Sequence, residues 1–279
     1  MSTSPLHRLI AGFEVPPPNL DGADRVWIER FRPWMEALAR YHRHEVIGLH
    51  HVPAHGRALL VVNHSLATYD GALLGLAIHD ATGRLPMGLG DNLIFRTPGL
   101  RRVASRVGIV PARPETGERL LEDERLVAVA PGGMREALRP SHERYRVRWA
   151  RRKGFVRLAL RLQTPVILAA CPAADDLYTV YEAVWTKLAY KHLKVPLPLV
   201  RGLGPTAIPR PVKLTHYIAP PLVPPPLYEP RLEGQVDALH ARFVATMQAL
   251  LREEPAALAA AEGEEPKHEQ HAPEAGPRV

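Results

Sequence analysis

The stretch LLVVNHSLATYD, residues 59–70, runs apolar side chains straight into Asn63-His64 and sets an acid, Asp70, six positions after the histidine. A neutral imidazole can take the proton of an attacking hydroxyl while that oxygen bonds to an acyl carbon. A carboxylate hydrogen-bonded to the other ring nitrogen fixes the tautomer and stabilises the imidazolium that results. No serine or cysteine nucleophile is needed when the acceptor's own hydroxyl attacks. The spacing by itself says little, because fourteen histidines produce about one such pair by chance at ordinary aspartate frequency. Taken alone, His64 fits a hydrogen-bonded core histidine and Asp70 a helix cap equally well. A second turn shifts the balance. APGGMREAL, residues 130–138, closes another apolar run with Gly132 and Gly133, whose backbone N–H groups can face a ligand oxygen. Arg135 and Glu136 add a cation and an anion beside them.

The elements that must hold these residues follow from hydrophobic period and punctuation. HEVIGLHHVPAHGRALLVVNHS reads as strand, Pro/Gly turn, strand, then a loop holding His64. Residues 70–79 form a buried helix with Asp70 near its N-terminus, where a carboxylate is favoured. Short helices are expected at Gly99–Val107 and Thr116–Asp123, and a buried strand at residues 125–133 breaking at Pro131-Gly132-Gly133. A helix from Arg151 to Leu162 precedes the all-apolar strand around PVILAA, and VKLTHYIAPPL supplies a late strand. A closing helix spans Leu232–Arg252. Strands alternating with helices give an α/β fold, a single domain with a largely buried mixed sheet flanked by helices. Before it, residues 1–20 read as an irregular leader. In residues 21–43 an amphipathic helical region carries Trp27, Phe31, Trp34 and Leu38 on one face, split or kinked at Pro33. Such a stripe is core, or, with its arginine rim, a membrane-docking face. The domain is placed at 44–254 and a disordered acidic tail at 255–279.

Composition narrows the classes. The 279 residues, 46% hydrophobic and 23% charged, can bury a substantial core. A single cysteine, Cys171, rules out an internal disulfide and fits a reducing cytoplasm as a buried strand-end thiol. MSTSPLHRLIAGF has too short an apolar core for a signal peptide, and no run is long enough to cross a bilayer. Net charge is +7, and residues 96–161 hold seventeen Lys/Arg against seven Asp/Glu. That excess is either a solvated basic face or a surface for phosphate-bearing partners. The histidines show no metal-ligand spacing, so no metal is assigned.

NHS with its following acid, PGGMREAL, and VRWARRKGFVRLALRLQTPVI together resemble the PlsC-like glycerolipid acyltransferase superfamily, over roughly residues 44–220. PGG-x-x-EAL followed by RKGF is most similar to its monoacylglycerol and diacylglycerol acyltransferase branch. The resemblance implies a glycerol-3-phosphate acyltransferase-like fold, with His64 as catalytic base and Asp70 as its orienting acid. It makes Arg113, at the end of GIVPAR, the counterpart of a phosphate-recognising arginine. Gly132, Gly133, Arg135 and Glu136 fall in the acceptor block, and Pro165–Ala170 in the block lining the acyl site. Two departures matter. Five residues, Ser65–Tyr69, separate histidine and aspartate where the common motif has four. Gly-Gly replaces Glu-Gly, which weakens a lysophosphatidate acceptor.

The expectation is an O-acyltransferase moving a fatty acyl group from acyl-CoA, or another acyl thioester, to a glycerolipid or lysophospholipid hydroxyl. It needs no cofactor beyond that co-substrate and sits in the cytoplasm, peripheral on an anionic membrane. One alternative is a neutral-lipid, wax-ester or other alcohol acyltransferase, for which Arg113 is dispensable. The other is a non-catalytic lipid- or acyl-CoA-binding protein. A nucleic-acid partner is not expected, since no binding motif accompanies the basic charge.

Overall fold

A computed structural model describes Leu20, residues 22–182 and residues 199–252. Apart from Leu20, the expected leader lies outside the described residues, as does the acidic tail. A helix α1 (Arg25–Tyr41) leads into strand β1 (Glu45–Ile47), β2 (Ala58–Val62), helix α2 (Tyr69–Thr82) and β3 (Met87–Gly90). Then come α3 (Asn92–Arg96), α4 (Pro98–Arg106), β4 (Ile109–Pro111), α5 (Pro114–Glu122) and β5 (Leu126–Val129). Helix α6 (Gly133–Ala137), α7 (Gly154–Arg161) and β6 (Val166–Ala170) follow, then the strand pair β7 (Thr179–Tyr181) and β8 (Leu199–Arg201). Strand β9 (Thr215–Ile218) and helix α8 (Leu232–Leu251) complete the order.

The main sheet has seven strands in the order β1-β9-β6-β2-β5-β3-β4. Strands β6, β2, β5, β3 and β4 are mutually parallel, while β9 runs antiparallel to β6 and β1 pairs parallel with β9. The period of two divides the core. Leu59 and Val61 of β2 with Val166 and Leu168 of β6 face Leu120, Leu160 and Phe243 from α5, α7 and α8. Ala58, Leu60 and Ile167 face Leu74 and Ile78 of α2 on the other side. Both faces are covered, so these strands read as continuous apolar runs.

The structure narrows two alternatives left open for α1. Pro33 does not split α1, which is one helix through it, although proline deletes one backbone donor there. The aromatic stripe is not core. Trp34 is 75% exposed and Phe31 41%, while Met35 and Ala39, off the stripe, pack against Leu73, Leu177 and Leu214. Trp27 and Phe31 stack on each other, ring centroids 4.1 Å apart. Among the described residues no helix is long and apolar enough to cross a membrane.

Candidate active site

Five parallel strands bring their C-terminal ends to one edge of the sheet, where α/β folds collect ligand-binding loops. His64 leaves β2, Pro131-Gly132-Gly133 leaves β5, Cys171 leaves β6 and Arg113 follows β4. Asn63 locks the first of these exits. Its Oδ1 accepts from the Cys171 N–H at 2.9 Å and its amide nitrogen faces the Cys171 carbonyl at 3.5 Å, tying the ends of β2 and β6 together.

The half-buried His64 ring places Nδ1 2.9 Å from the Ser65 carbonyl oxygen. A carbonyl only accepts, so Nδ1 carries the proton and Nε2 keeps its lone pair. Burial holds the imidazole below its ordinary pKa, opposed by the Ser65 contact and reinforced by the nearby Arg139 cation. The neutral form is therefore favoured more strongly than in a free imidazole.

Asp70 lies in the first turn of α2 and is buried. The structure departs from the expected direct carboxylate–imidazole bond: Asp70 Oδ1 accepts from the Ser65 hydroxyl at 3.0 Å, and Nδ1 is taken by a carbonyl. The reason is local geometry. Thr68, at the helix N-cap, sits at φ +52°, a left-handed turn that brings the chain into α2 with Ser65 between the two groups. Burial raises the Asp70 pKa to about 6, against the lowering effect of the Ser65 bond and of N–H groups at the helix start.

Glu136 of α6 joins the site from below. It is fully buried, and Oε2 accepts from the His64 N–H at 3.2 Å while Oε1 accepts from the Arg148 N–H at 3.0 Å. Burial raises its pKa, with the Arg139 cation pulling the other way. Glu136 thus grips the backbone of the histidine loop. Gly132 exists to admit it: a Cβ there would lie 2.2 Å from Glu136 Oε2. Gly133, at φ +49°, would meet the Arg152 guanidinium at 2.6 Å. Its N–H donates to the Ala130 carbonyl at 3.0 Å, so that donor closes the turn and does not face a ligand.

The other candidates stand apart. Arg135 is exposed on α6. Arg113 is exposed at the N-cap of α5, three strands across from β2, roughly 14 Å at ordinary strand spacing. Two arginines brace the site, of which Arg139 was legible in the sequence as a possible partner of Glu136. Arg139, buried, forks onto Asp175 (Nε–Oδ2 3.1 Å, Nη2–Oδ2 2.6 Å) and lies 3.6 Å from Glu136. Arg152 donates to the Pro131 and Gly132 carbonyls at 2.8 and 2.7 Å, clamping the glycine turn. Only the charge of RRK hinted at it. A cleft of about 340 Å³ lies away from this site, at the opposite end of β3 and β5, beside Arg84, Asp123 and Arg125.

The arrangement offers a neutral imidazole with its Nε2 lone pair available, on a loop braced by three strand ends. The acyltransferase family model matches residues 43–171, from just before β1 to just past β6, and so contains His64, Asp70, Arg113, the glycine turn and Glu136. Over this stretch the chain is similar to the acyltransferase family. Among relatives, the bovine (Bos taurus) DGAT1/2-independent enzyme synthesizing storage lipids is 26% identical over 204 residues, 72% of this chain and 58% of that protein. An uncharacterized protein of Mycobacterium tuberculosis is 31% identical over 171 residues, 60% of this chain and 47% of its own. The chain thus spans about half the length of the curated relatives it matches. The crystal structure of the 1-acyl-sn-glycerophosphate (LPA) acyltransferase PlsC from Thermotoga maritima aligns over 85% of this chain and 86% of its own, with TM-score 0.46 and 15% identity.

Proposed function

We propose that the protein transfers a fatty acyl group from an acyl thioester, acyl-CoA foremost, to the hydroxyl of a glycerolipid. His64 Nε2 takes the hydroxyl proton as the oxygen attacks the thioester carbonyl. The tetrahedral adduct then expels the thiolate, which receives that proton from the imidazolium, leaving an ester and a free thiol. Backbone N–H groups of a strand-end turn are the expected oxyanion donors; with the Gly133 N–H engaged, they come from elsewhere along this edge. The observation that carries the reading is the Nδ1 contact to a carbonyl, which supports a base-competent tautomer inside an acyltransferase-family segment.

A second reading concerns the acceptor alone. Relatives named for storage-lipid synthesis, together with Gly-Gly in the acceptor block, favour a neutral lipid hydroxyl without phosphate. The test of both is a lipid-acceptor screen with a long-chain acyl-CoA, following free thiol and lipid product together. His64→Ala should lower transfer roughly 10²–10⁴-fold while the circular dichroism and melting transition stay as in the wild type. A folded His64→Ala protein retaining more than half the activity would remove the mechanism.

A further inference from the structure

Between His64 and Asp70 a single residue touches both. The Ser65 carbonyl oxygen lies 2.9 Å from His64 Nδ1, and the Ser65 hydroxyl donates to Asp70 Oδ1 at 3.0 Å. We propose that Ser65 is a positioning residue for the base: its carbonyl selects the Nδ1–H tautomer, and its hydroxyl, held by Asp70, fixes the peptide that presents that carbonyl. This rests on the reading of His64 as the base.

The tautomer matters because a free neutral imidazole favours its proton on Nε2. That form would aim an N–H at the acceptor hydroxyl and could not take its proton. Something must therefore hold the proton on Nδ1. In a triad a carboxylate does so directly; here the carboxylate's oxygen is turned to the serine. Ser65 is 2% exposed and Asp70 4%, so water does not compete for the tether. Around them, the Glu136 carboxylate holds the His64 N–H at 3.2 Å, fixing the other side of the same backbone. The five-residue spacing between histidine and aspartate thereby acquires a use, since a loop residue takes the contact a carboxylate makes elsewhere.

Asp70 then acts on His64 only through Ser65, and the two should behave as one link. The test uses the full chain labelled with ¹⁵N-histidine, the His64 resonances being those lost in His64→Ala. In the wild type at neutral to alkaline pH, Nδ1 should be protonated and Nε2 bare. Ser65→Ala keeps a carbonyl but frees its peptide, so the Nε2–H tautomer should appear and kcat should fall on the order of tenfold, the usual worth of one lost hydrogen bond, with KM little changed. Without the Nδ1–H contact that favours the protonated ring, the acidic limb of kcat/KM should also move to lower pH. Ser65→Thr, which keeps the hydroxyl, should restore all three readouts. Ser65→Ala combined with Asp70→Asn should be no slower than the slower single variant.

An Nε2–H tautomer in the wild type would overturn the proposal without any variant having to fold. So would a Ser65→Ala protein with wild-type tautomer and pH profile. Loss of activity in His64→Ala beside such a Ser65→Ala result would sink the positioning role alone, whereas full activity in His64→Ala would sink the base.

Discussion

Arg113 is the residue on which the acceptor turns. Its guanidinium is exposed, and its backbone is committed on both sides, its N–H to the Pro111 carbonyl at 2.9 Å and its carbonyl to the Gly117 N–H at 3.1 Å. Removing the side chain therefore leaves the start of α5 intact. If Arg113 grips a phosphate, that contact exists before and during the reaction, so Arg113→Ala should raise KM for a lysophospholipid much more than it lowers kcat. Lysine should rescue in part, lacking the planar fork that takes two phosphate oxygens. A monoacylglycerol or simple alcohol should be indifferent to either change. Wild-type kinetics of Arg113→Ala with every acceptor would strike the phosphate contact and leave the acyl transfer. Asp70 shows where residue-level reading stops: its place at the head of α2 was legible from the apolar run behind it, but the direction of its carboxylate depends on a left-handed Thr68 that no spacing signals.

At the scale of elements, β2, β5, β6, α2 and α8 were readable because both faces of each buried strand meet helices, leaving long apolar runs. Strand β3, sequence MGLG, carried no such signal. Its glycines are set by packing, since a Cβ on Gly90 would lie 2.6 Å from the Ile109 side chain of β4. Helix α1 was legible as amphipathic, but periodicity reveals a face and not what that face meets. The Arg139–Asp175 pair spans 36 positions, beyond any local pattern. The far side of the sheet holds another such pair. His44 Nε2, just before β1, lies 3.0 Å from Nδ1 of the buried His216 on β9, and burial drives the His216 pKa down to about 3, helped by His44. The folded state therefore binds fewer protons than the unfolded chain below pH 6.5, and this term loses stability as pH falls. Asp70 has the opposite sign, its raised pKa relieving the fold below about 6, so total stability is a poor readout. The difference between wild type and His216→Asn isolates the histidine. In urea titrations, the destabilisation by His216→Asn should shrink by about 1–2 kcal/mol between pH 6.5 and 5. A penalty constant across that range would mean His216 is not held neutral.

For the molecule as a whole, the site lies at the same edge of the sheet from which the segment leading into α4 and the segment following β4 emerge, and residues 96–113 on this flank are basic. Residues 96–113 contain Arg96, Arg101, Arg102, Arg106 and Arg113 and no acid. On α4, Leu100 is 55% exposed and Val103 49%, apolar side chains set among those arginines. The Asp24 N–H donates to the Arg106 carbonyl at 2.8 Å, which fastens the start of α1 to the end of α4. Val26, on that start of α1, is 82% exposed. An arginine-rimmed apolar surface suits an interface where tails lie shallow and headgroups are anionic. If the site takes fatty acyl substrates as proposed, its entrance gains most by being held against the bilayer that dissolves them. Sedimentation with phosphatidylserine-containing vesicles should then carry the full chain down at low salt and release much of it at high salt, since screening weakens the arginine contribution. Vesicles of phosphatidylcholine alone should bind it less at every ionic strength. Leu100→Asp with Val103→Asp should abolish the low-salt binding while the melting temperature falls only modestly, because about half of each side chain is already in water. If that double variant sediments like the wild type, the lipid contact is not on α4. If binding resists both salt and alkaline extraction, an anchor of another kind holds the protein.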